Sequence, residues 1–197
     1  FLGAAFDGDA DRIFIVDENA KILGGDIVTA LVAKNLLKKE KNSTILYNLI
    51  CSRTVPIIIQ ENGGKAIKTR VGHALIKPLM KKYNAIFGGE HSGHFYYRDN
   101  FYADSGFIAF VILLQLLSNY EKLLSEIVKP FYKYFKSAEI NFNVENKEEI
   151  IEKVKQKYSD GKQDFLDGVT VEYKNWWFNL RPSNTEPLLK LTIEADT

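Results

Sequence analysis

The amino-acid sequence predicts an α/β protein: a mixed-sheet α/β/α domain followed by a smaller, truncated α+β domain. From Ile22 to Ser118, short β-branched and aromatic runs alternate with amphipathic stretches. That order builds a parallel or mixed sheet with helices on both faces. After Pro130 the pattern becomes strand, helix and then three strands, and the chain ends without a closing helix. The 197 residues, 46% hydrophobic and 26% charged, suffice for one or two cores of ordinary soluble composition.

The elements read as follows. "LGAAF" and "IFIVD" are short strands flanking an acidic loop. "GGDIVTALVAKNLLKKEK" is a helix with Asp26 as its cap, Ile27/Leu31 and Val28/Val32 sharing faces, and lysines crowding its end. "STILYNLI" is a strand, "VPIIIQENGG" a helix stopped by Gly63 and Gly64, and "KAIKTR" a strand. "HALIKPLMKKYN" is helical, with Pro78 expected to kink or interrupt it. "AIFGG" is a strand, and "DSGFIAFVILLQLLS" a buried helix capped near Asp104 or Ser105. "EKLLSEIVKPFYKYF" links to "AEINFNV" (strand), "NKEEIIEKVKQKYS" (helix), and the strands "VTVEY", "WWFNL" and "LLKLTIEA". The segments fall at 1–21, 22–130 and 131–197.

Composition excludes several function classes. The net charge of +1 provides no global field for nucleic acid or anionic lipid, so anion affinity must come from local clusters. The apolar run Gly106–Ser118 is too short to span a bilayer. A single cysteine, Cys51, permits no internal disulfide, and no secretory leader is evident, which points to the cytoplasm. Met80 is the only methionine and "FLGAAF" opens like a strand already inside a sheet, so the chain is expected to be a fragment.

Three loops carry chemistry. "FDGDADR" sets Asp7, Asp9 and Asp11 at alternate positions beside Arg12; in an extended segment the three carboxylates converge. Like charges that close need a cation or dense donors among them. With Glu18 they superficially match a calcium loop, but Arg12 stands where glycine is required and the flanks are β-rich. A hard divalent cation, Mg²⁺ first, fits better, facing a phosphate oxygen. "GGEHSGH" offers Glu90 and Ser92 to a polyol, the alternative being a glycine-rich turn whose Glu90 caps backbone amides. The three histidines, His73, His91 and His94, lack zinc-ligand spacing. "RPSNTEP" presents the Arg181 fork with Ser183, Asn184 and Thr185 as short donors for a dianion, or forms a structural turn. "TRVGH", between strand and helix, suits an anion at a helix N-terminus.

In this order, "DGDADR", "TRVGH", "GEHSGH" and "RPSNTEP" resemble the α-D-phosphohexomutase family, in its phosphomannomutase/phosphoglucomutase branch, over essentially the whole chain. Phosphoglucosamine mutases typically show glutamine where His91 stands and glycine where Asn184 stands. The resemblance implies an isomerase acting as an intramolecular phosphotransferase, built as four domains around one cleft. It interconverts hexose 6-phosphate and hexose 1-phosphate, of mannose or glucose, through a phosphoserine and a hexose 1,6-bisphosphate. Residues 1–21 would be the remnant of a metal-binding domain 2, 22–130 a sugar-binding domain 3, and 131–197 a phosphate-binding domain 4. It further implies Mg²⁺ on Asp7, Asp9 and Asp11 with Arg12 beside the phosphoserine, and sugar hydroxyls on Glu90 and Ser92. Arg181, Ser183, Asn184 and Thr185 would hold the phosphate not being transferred, while His73, Lys77 and His94 are further candidates for the cleft wall. The serine loop and the final helix are absent, and Ile50 stands where some bacterial members have lysine. The fragment is therefore expected to be inactive alone, its partners being the hexose phosphate and the missing N-terminal domains, with no nucleic acid or membrane. The alternatives are a non-catalytic sugar-phosphate-binding protein and an aspartate-nucleophile phosphatase using Asp7.

Overall fold

The computed structural model describes residues 2–183 and 186–196. They form two compact units, Phe1–Tyr132 and Lys133–Thr197.

The first unit begins with an antiparallel three-stranded sheet: β1 (Gly3–Phe6), β2 (Ile13–Val16) and β3 (Ile22–Leu23). There follow α1 (Gly25–Lys39), β4 (Thr44–Asn48), α2 (Thr54–Glu61), β5 (Lys65–Thr69), α3 (His73–Tyr83), β6 (Phe87–Gly89), β7 (Phe95–Tyr97), α4 (Gly106–Leu117) and α5 (Leu124–Val128). Four strands make the second sheet in the order β5-β4-β6-β7, with β4 parallel to β5 and β6, and β7 antiparallel to β6. Alternation along these strands divides the core, because successive side chains leave opposite faces of a sheet. Ile45, Tyr47, Phe87, Phe95 and Tyr97 join α1, α2 and α4 in one cluster, while Leu46 and Tyr96 meet Ile76 and Met80 of α3 in another. The expected α/β/α layering is the observed one.

Glycine lets α1 approach the sheet. A Cβ on Gly89 would lie 2.2 Å from Thr29 Oγ1, and one on Gly25 would lie 2.5 Å from the His91 carbonyl oxygen. The start of α1 is thereby pressed against the end of β6 and the loop that follows.

Several local expectations are corrected. Gly24, not Asp26, occupies the N-cap of α1; Asp26 sits in the first turn, buried. Its Oδ1 accepts from the Ile27 amide (3.0 Å) and its Oδ2 from the Ser52 amide (3.1 Å). Pro78 does not interrupt α3, which runs through it. Pro78 and Ala74 are both exposed, so solvent can serve the Ala74 carbonyl that loses its donor. Ser105 caps α4 as expected, its Oγ accepting from the Ile108 amide at 3.2 Å. That helix is buried on one side only: Ala109, Leu113 and Leu116 face the core, while Phe107 and Val111 are about 60% exposed. Among the described residues no helix is long and apolar enough to cross a membrane. Strands β3 and β7 were not foreseen, being too short for a periodic signal.

The second unit comprises β8 (Phe135–Lys136), β9 (Ile140–Asn143), α6 (Lys147–Lys157), β10 (Lys162–Asp164), β11 (Val169–Glu172), β12 (Trp176–Pro182) and β13 (Leu188–Ala195). Its antiparallel sheet runs β10-β11-β12-β13-β8, with β9 also paired to β13. Val169, Val171, Phe178, Leu180 and Leu189 pack against Ile150, Val154 and Tyr158 of α6. The opposite face is polar yet buried, carrying Thr170, Asn179, Arg181, Thr192 and Glu194. Here Trp177 Nε1 donates to Glu194 Oε1 (2.8 Å), and Asn179 Nδ2 donates to the Asp167 carbonyl (2.9 Å) and Thr170 Oγ1 (3.0 Å). Strand β10 and the two-residue β8 were likewise unforeseen.

Candidate active site

The acidic loop is the turn joining β1 to β2. It is not extended: Ala10 has φ +59°, and its amide donates to the Asp7 carbonyl at 3.2 Å. The carboxylates converge nonetheless, with one oxygen from each of Asp7, Asp9 and Asp11 within 4.8 Å of the others. The Arg12 amide donates to Asp7 Oδ1 (3.2 Å), and Arg12 Nε donates to Asp7 Oδ2. Burial opposes the charged form of Asp7, but the Arg12 hydrogen bonds and charge prevail and hold its carboxyl below the ordinary value. Asp11 moves the other way: desolvation and the neighbouring carboxylates of Asp9, Asp7 and Asp104 outweigh His94 and raise it. Asp11 Oδ1 is buried with no hydrogen-bond partner among the described residues. An all-oxygen donor set with an unsatisfied buried oxygen and mutual repulsion fits a hard divalent cation.

The "GGEHSGH" loop lies directly against this turn. Arg12 and His94 form an antiparallel bridge, and the Ile13 amide donates to the Gly93 carbonyl at 3.2 Å. Gly93 has φ +91°, a conformation glycine adopts without Cβ strain. His94 Nε2 lies 3.6 Å from Asp11 Oδ2, and its Nδ1 lies 2.9 Å from Ser92 Oγ. Asp104 completes a second group, with one atom each from Asp11, His94 and Asp104 within 4.8 Å. Lys77 Nζ pairs with Asp104 Oδ1 at 2.9 Å. Asp7, Asp9, Asp11, Arg12, Ser92, His94 and Lys77 thus occupy one continuous region.

Glu90 lies beneath that surface, 2% exposed. Its Oε2 accepts from Tyr96 OH (2.8 Å), and its Oε1 from the Gly72 amide (2.9 Å) and Asn48 Nδ2 (3.4 Å). Burial and the adjacent Glu90 charge push the Tyr96 phenol strongly up, so it remains a donor. Glu90 therefore pins the "TRVGH" turn to the end of β6, the amide-capping arrangement weighed from the sequence. His73 follows Gly72 at the start of α3 and is exposed. His91 Nδ1 lies 3.6 Å from Asp26 Oδ2. Asn48, Tyr96 and the pairing role of Asp104 leave no motif in the sequence, which marks Asp104 only as a candidate helix cap.

In the second unit, Arg181 occupies β12 with its side chain 7% exposed. Its Nη2 donates to Glu139 Oε2 at 2.7 Å, and Lys190 Nζ donates to Glu139 Oε1 at 2.9 Å. Arg181 Nε is buried with no partner among the described residues. Ser183 is buried, its amide bonded to the Leu188 carbonyl (2.8 Å) and its Oγ accepting from the Glu186 amide (3.3 Å). Asn184 and Thr185 lie outside the described residues. Glu139 and Lys190 were missed, although a hairpin between "WWFNLRP" and "LLKLTIEA" already implies that Arg181 and Lys190 face each other.

Comparison with known proteins accounts for both units. Residues 24–135 match the family described as phosphoglucomutase/phosphomannomutase, alpha/beta/alpha domain III. Residues 139–197 match the C-terminal domain of the same family. This chain belongs to the phosphoglucomutase/phosphomannomutase family of α-D-phosphohexomutases. It is 51% identical to a phosphomannomutase of Methanocaldococcus jannaschii over 99% of this chain and 43% of that protein. A crystal structure of a phosphoglucomutase/phosphomannomutase family protein from Burkholderia thailandensis superposes with a TM-score of 0.89 at 30% identity, covering 100% of this chain and 43% of that one. An Aspergillus fumigatus N-acetylphosphoglucosamine mutase, solved in complex with GlcNAc-6P and magnesium, shares the fold at TM-score 0.69 and 15% identity, over 98% of this chain and 45% of that one. The chain thus spans less than half the length of these relatives.

Proposed function

We propose that this chain carries the cation-binding, sugar-reading and phosphate-gripping parts of a phosphohexomutase. The reaction is the interconversion of hexose 6-phosphate and hexose 1-phosphate, of mannose or glucose, through a phosphoserine and a hexose 1,6-bisphosphate. The carrying observation is the convergence of Asp7, Asp9 and Asp11, with Asp11 Oδ1 buried and lacking a hydrogen-bond partner among the described residues, on a turn that the Arg12–His94 bridge ties to the "GGEHSGH" loop.

Phosphoryl transfer depends on positioning and on neutralising charge on the phosphoryl oxygens. A Mg²⁺ ion held by the three aspartates would supply that neutralisation. Arg12 is anchored through Nε to Asp7 with its side chain 44% exposed, so its remaining donors can meet a phosphoryl oxygen. Ser92 reads a hydroxyl while His94 Nδ1 fixes its rotor. Glu90 acts from beneath, holding the loop in register through Gly72 and Tyr96. Arg181 and Ser183, with Asn184 and Thr185, grip the phosphate that stays in place, turning remote binding energy into orientation at the reacting end.

Titration with Mn²⁺ as a paramagnetic probe tests the cation site. Resonances of Gly8 to Ala10 and His94 should broaden, and Asp11→Asn should weaken Mn²⁺ binding about ten-fold or more, as loss of metal-site partners does. Uniform broadening unaffected by that substitution would overturn the assignment. Assayed alone on glucose 1-phosphate with glucose 1,6-bisphosphate, residues 1–197 should give no glucose 6-phosphate, because they span 43% of the mutases they match and the phosphoserine is assigned to none of them; turnover would refute the phosphoserine scheme.

A further inference from the structure

In the second unit two cations share one carboxylate. Arg181 Nη2 and Lys190 Nζ donate to different oxygens of Glu139, at 2.7 and 2.9 Å, which leaves the group one net positive charge. The two cations are cross-strand partners in the β12–β13 register, directly opposite each other. Glu139 reaches them from the segment between β8 and β9. Arg181 is nearly enclosed, whereas Lys190 and Glu139 keep 21% and 24% of their side-chain surface open. The Arg181 guanidinium is also under-used, its Nε being buried without a partner.

A carboxylate spanning two cationic donors has the geometry of a bound anion: two oxygens, each charge-assisted. We propose that Glu139 is a built-in occupant of the anion site, holding Arg181 and Lys190 aligned in the unliganded protein and giving way to the phosphate of the substrate, with Lys190 as the second cation of that site. This rests on the reading of Arg181 as a phosphate ligand. Glu139 prevents a bare pair of like charges from splaying apart, which would otherwise destabilise adjacent strands. It also sets a selectivity threshold. A monoanion gains little over the carboxylate already present, whereas a phosphate dianion brings a second charge to the two cations. The exchange makes and breaks no covalent bond.

The test uses residues 1–197, with glucose 1-phosphate and inorganic phosphate as probes in calorimetric titrations, and far-UV circular dichroism to verify folding. Glu139→Gln keeps the side-chain shape and removes the competing charge, and should tighten binding of both probes about five-fold. Lys190→Met should weaken both about five-fold, and in that background the gain from E139Q should shrink, because the two substitutions act on one cluster. Should E139Q fail to fold, K190M and the competing effect of added acetate carry the same decision: acetate should leave phosphate affinity nearly unchanged. Arg181→Met separates the two levels of inference. If R181M binds glucose 1-phosphate as tightly as the parent, the phosphate reading itself fails. If R181M weakens binding but E139Q and K190M stay within about two-fold of the parent, this inference alone falls. E139Q binding more weakly than the parent would also overturn it, because Glu139 would then help rather than compete.

Discussion

Replacing Tyr96 by phenylalanine isolates the hydrogen bond that holds Glu90 beneath the candidate site. The phenol is fully buried and donates to Glu90 Oε2 at 2.8 Å, while the other carboxylate oxygen keeps the Gly72 amide and Asn48. The substitution removes one oxygen and leaves the ring against Leu46, Ile76 and Met80, so the packing cost is small. The loss is that of a buried hydrogen bond to a charged acceptor, about 1.5–3 kcal/mol. Urea unfolding should be followed by far-UV circular dichroism, since Trp176 and Trp177, the two tryptophans, both lie in the second unit. The same variant should speed hydrogen exchange at the Gly72 amide by loosening the Glu90 carboxylate that accepts from it. A stability change below about 0.5 kcal/mol, the range of an ordinary surface substitution, would refute the claim that this bond pins the loop.

Other outcomes follow from the same geometry. Gly89→Ala drives a methyl to 2.2 Å from Thr29 Oγ1 on a buried helix, and should cost about 1–3 kcal/mol by denaturant titration. Phe87→Ala, at a position on β6 that is 0% exposed and packs its ring against Phe95 and Tyr97, should cost about 3–5 kcal/mol by the same measurement. The Arg98 hydrogen bonds, assisted by Ser43 against a smaller desolvation effect, hold Glu40 below its ordinary value of 4.5. A lowered folded-state value means this pair stabilises fully above the ordinary value and loses its contribution as pH falls through the folded one. Glu40→Gln should therefore be less stable than the parent at neutral pH, and the two melting curves should converge on acidification below 4.5.

Much of this site was legible before the fold was known. The acidic turn is recognisable because three carboxylates within five residues have few inexpensive structural uses. Strands β4, β6, β11, β12 and β13 announce themselves through runs of branched and aromatic residues. Other features left weaker traces. Strand β7 is three residues long and follows a glycine-rich loop, so period-two alternation has no room to register. Asp26 has the composition of a cap and the position of one, yet the helix begins two residues earlier because Gly25 admits the His91 carbonyl. Pro78 looked like a breaker, but its cost depends on whether the orphaned carbonyl meets water, which only exposure decides.

The layering, the family, and the acids, hydroxyls and cations carried by each turn are readable from the chain alone. Those properties are local: periodicity, glycine placement and residue chemistry act over a few positions. How those groups are used follows from three-dimensional packing. It buried Glu90 under Tyr96, set His94 beside Asp11, and brought Glu139 to Arg181 from 42 positions earlier in the chain. Burial and long-range pairing depend on how strands and helices stack. A carboxylate exposed on a loop and one enclosed among donors are the same letter in a sequence, yet their solvation free energies differ by enough to change their function.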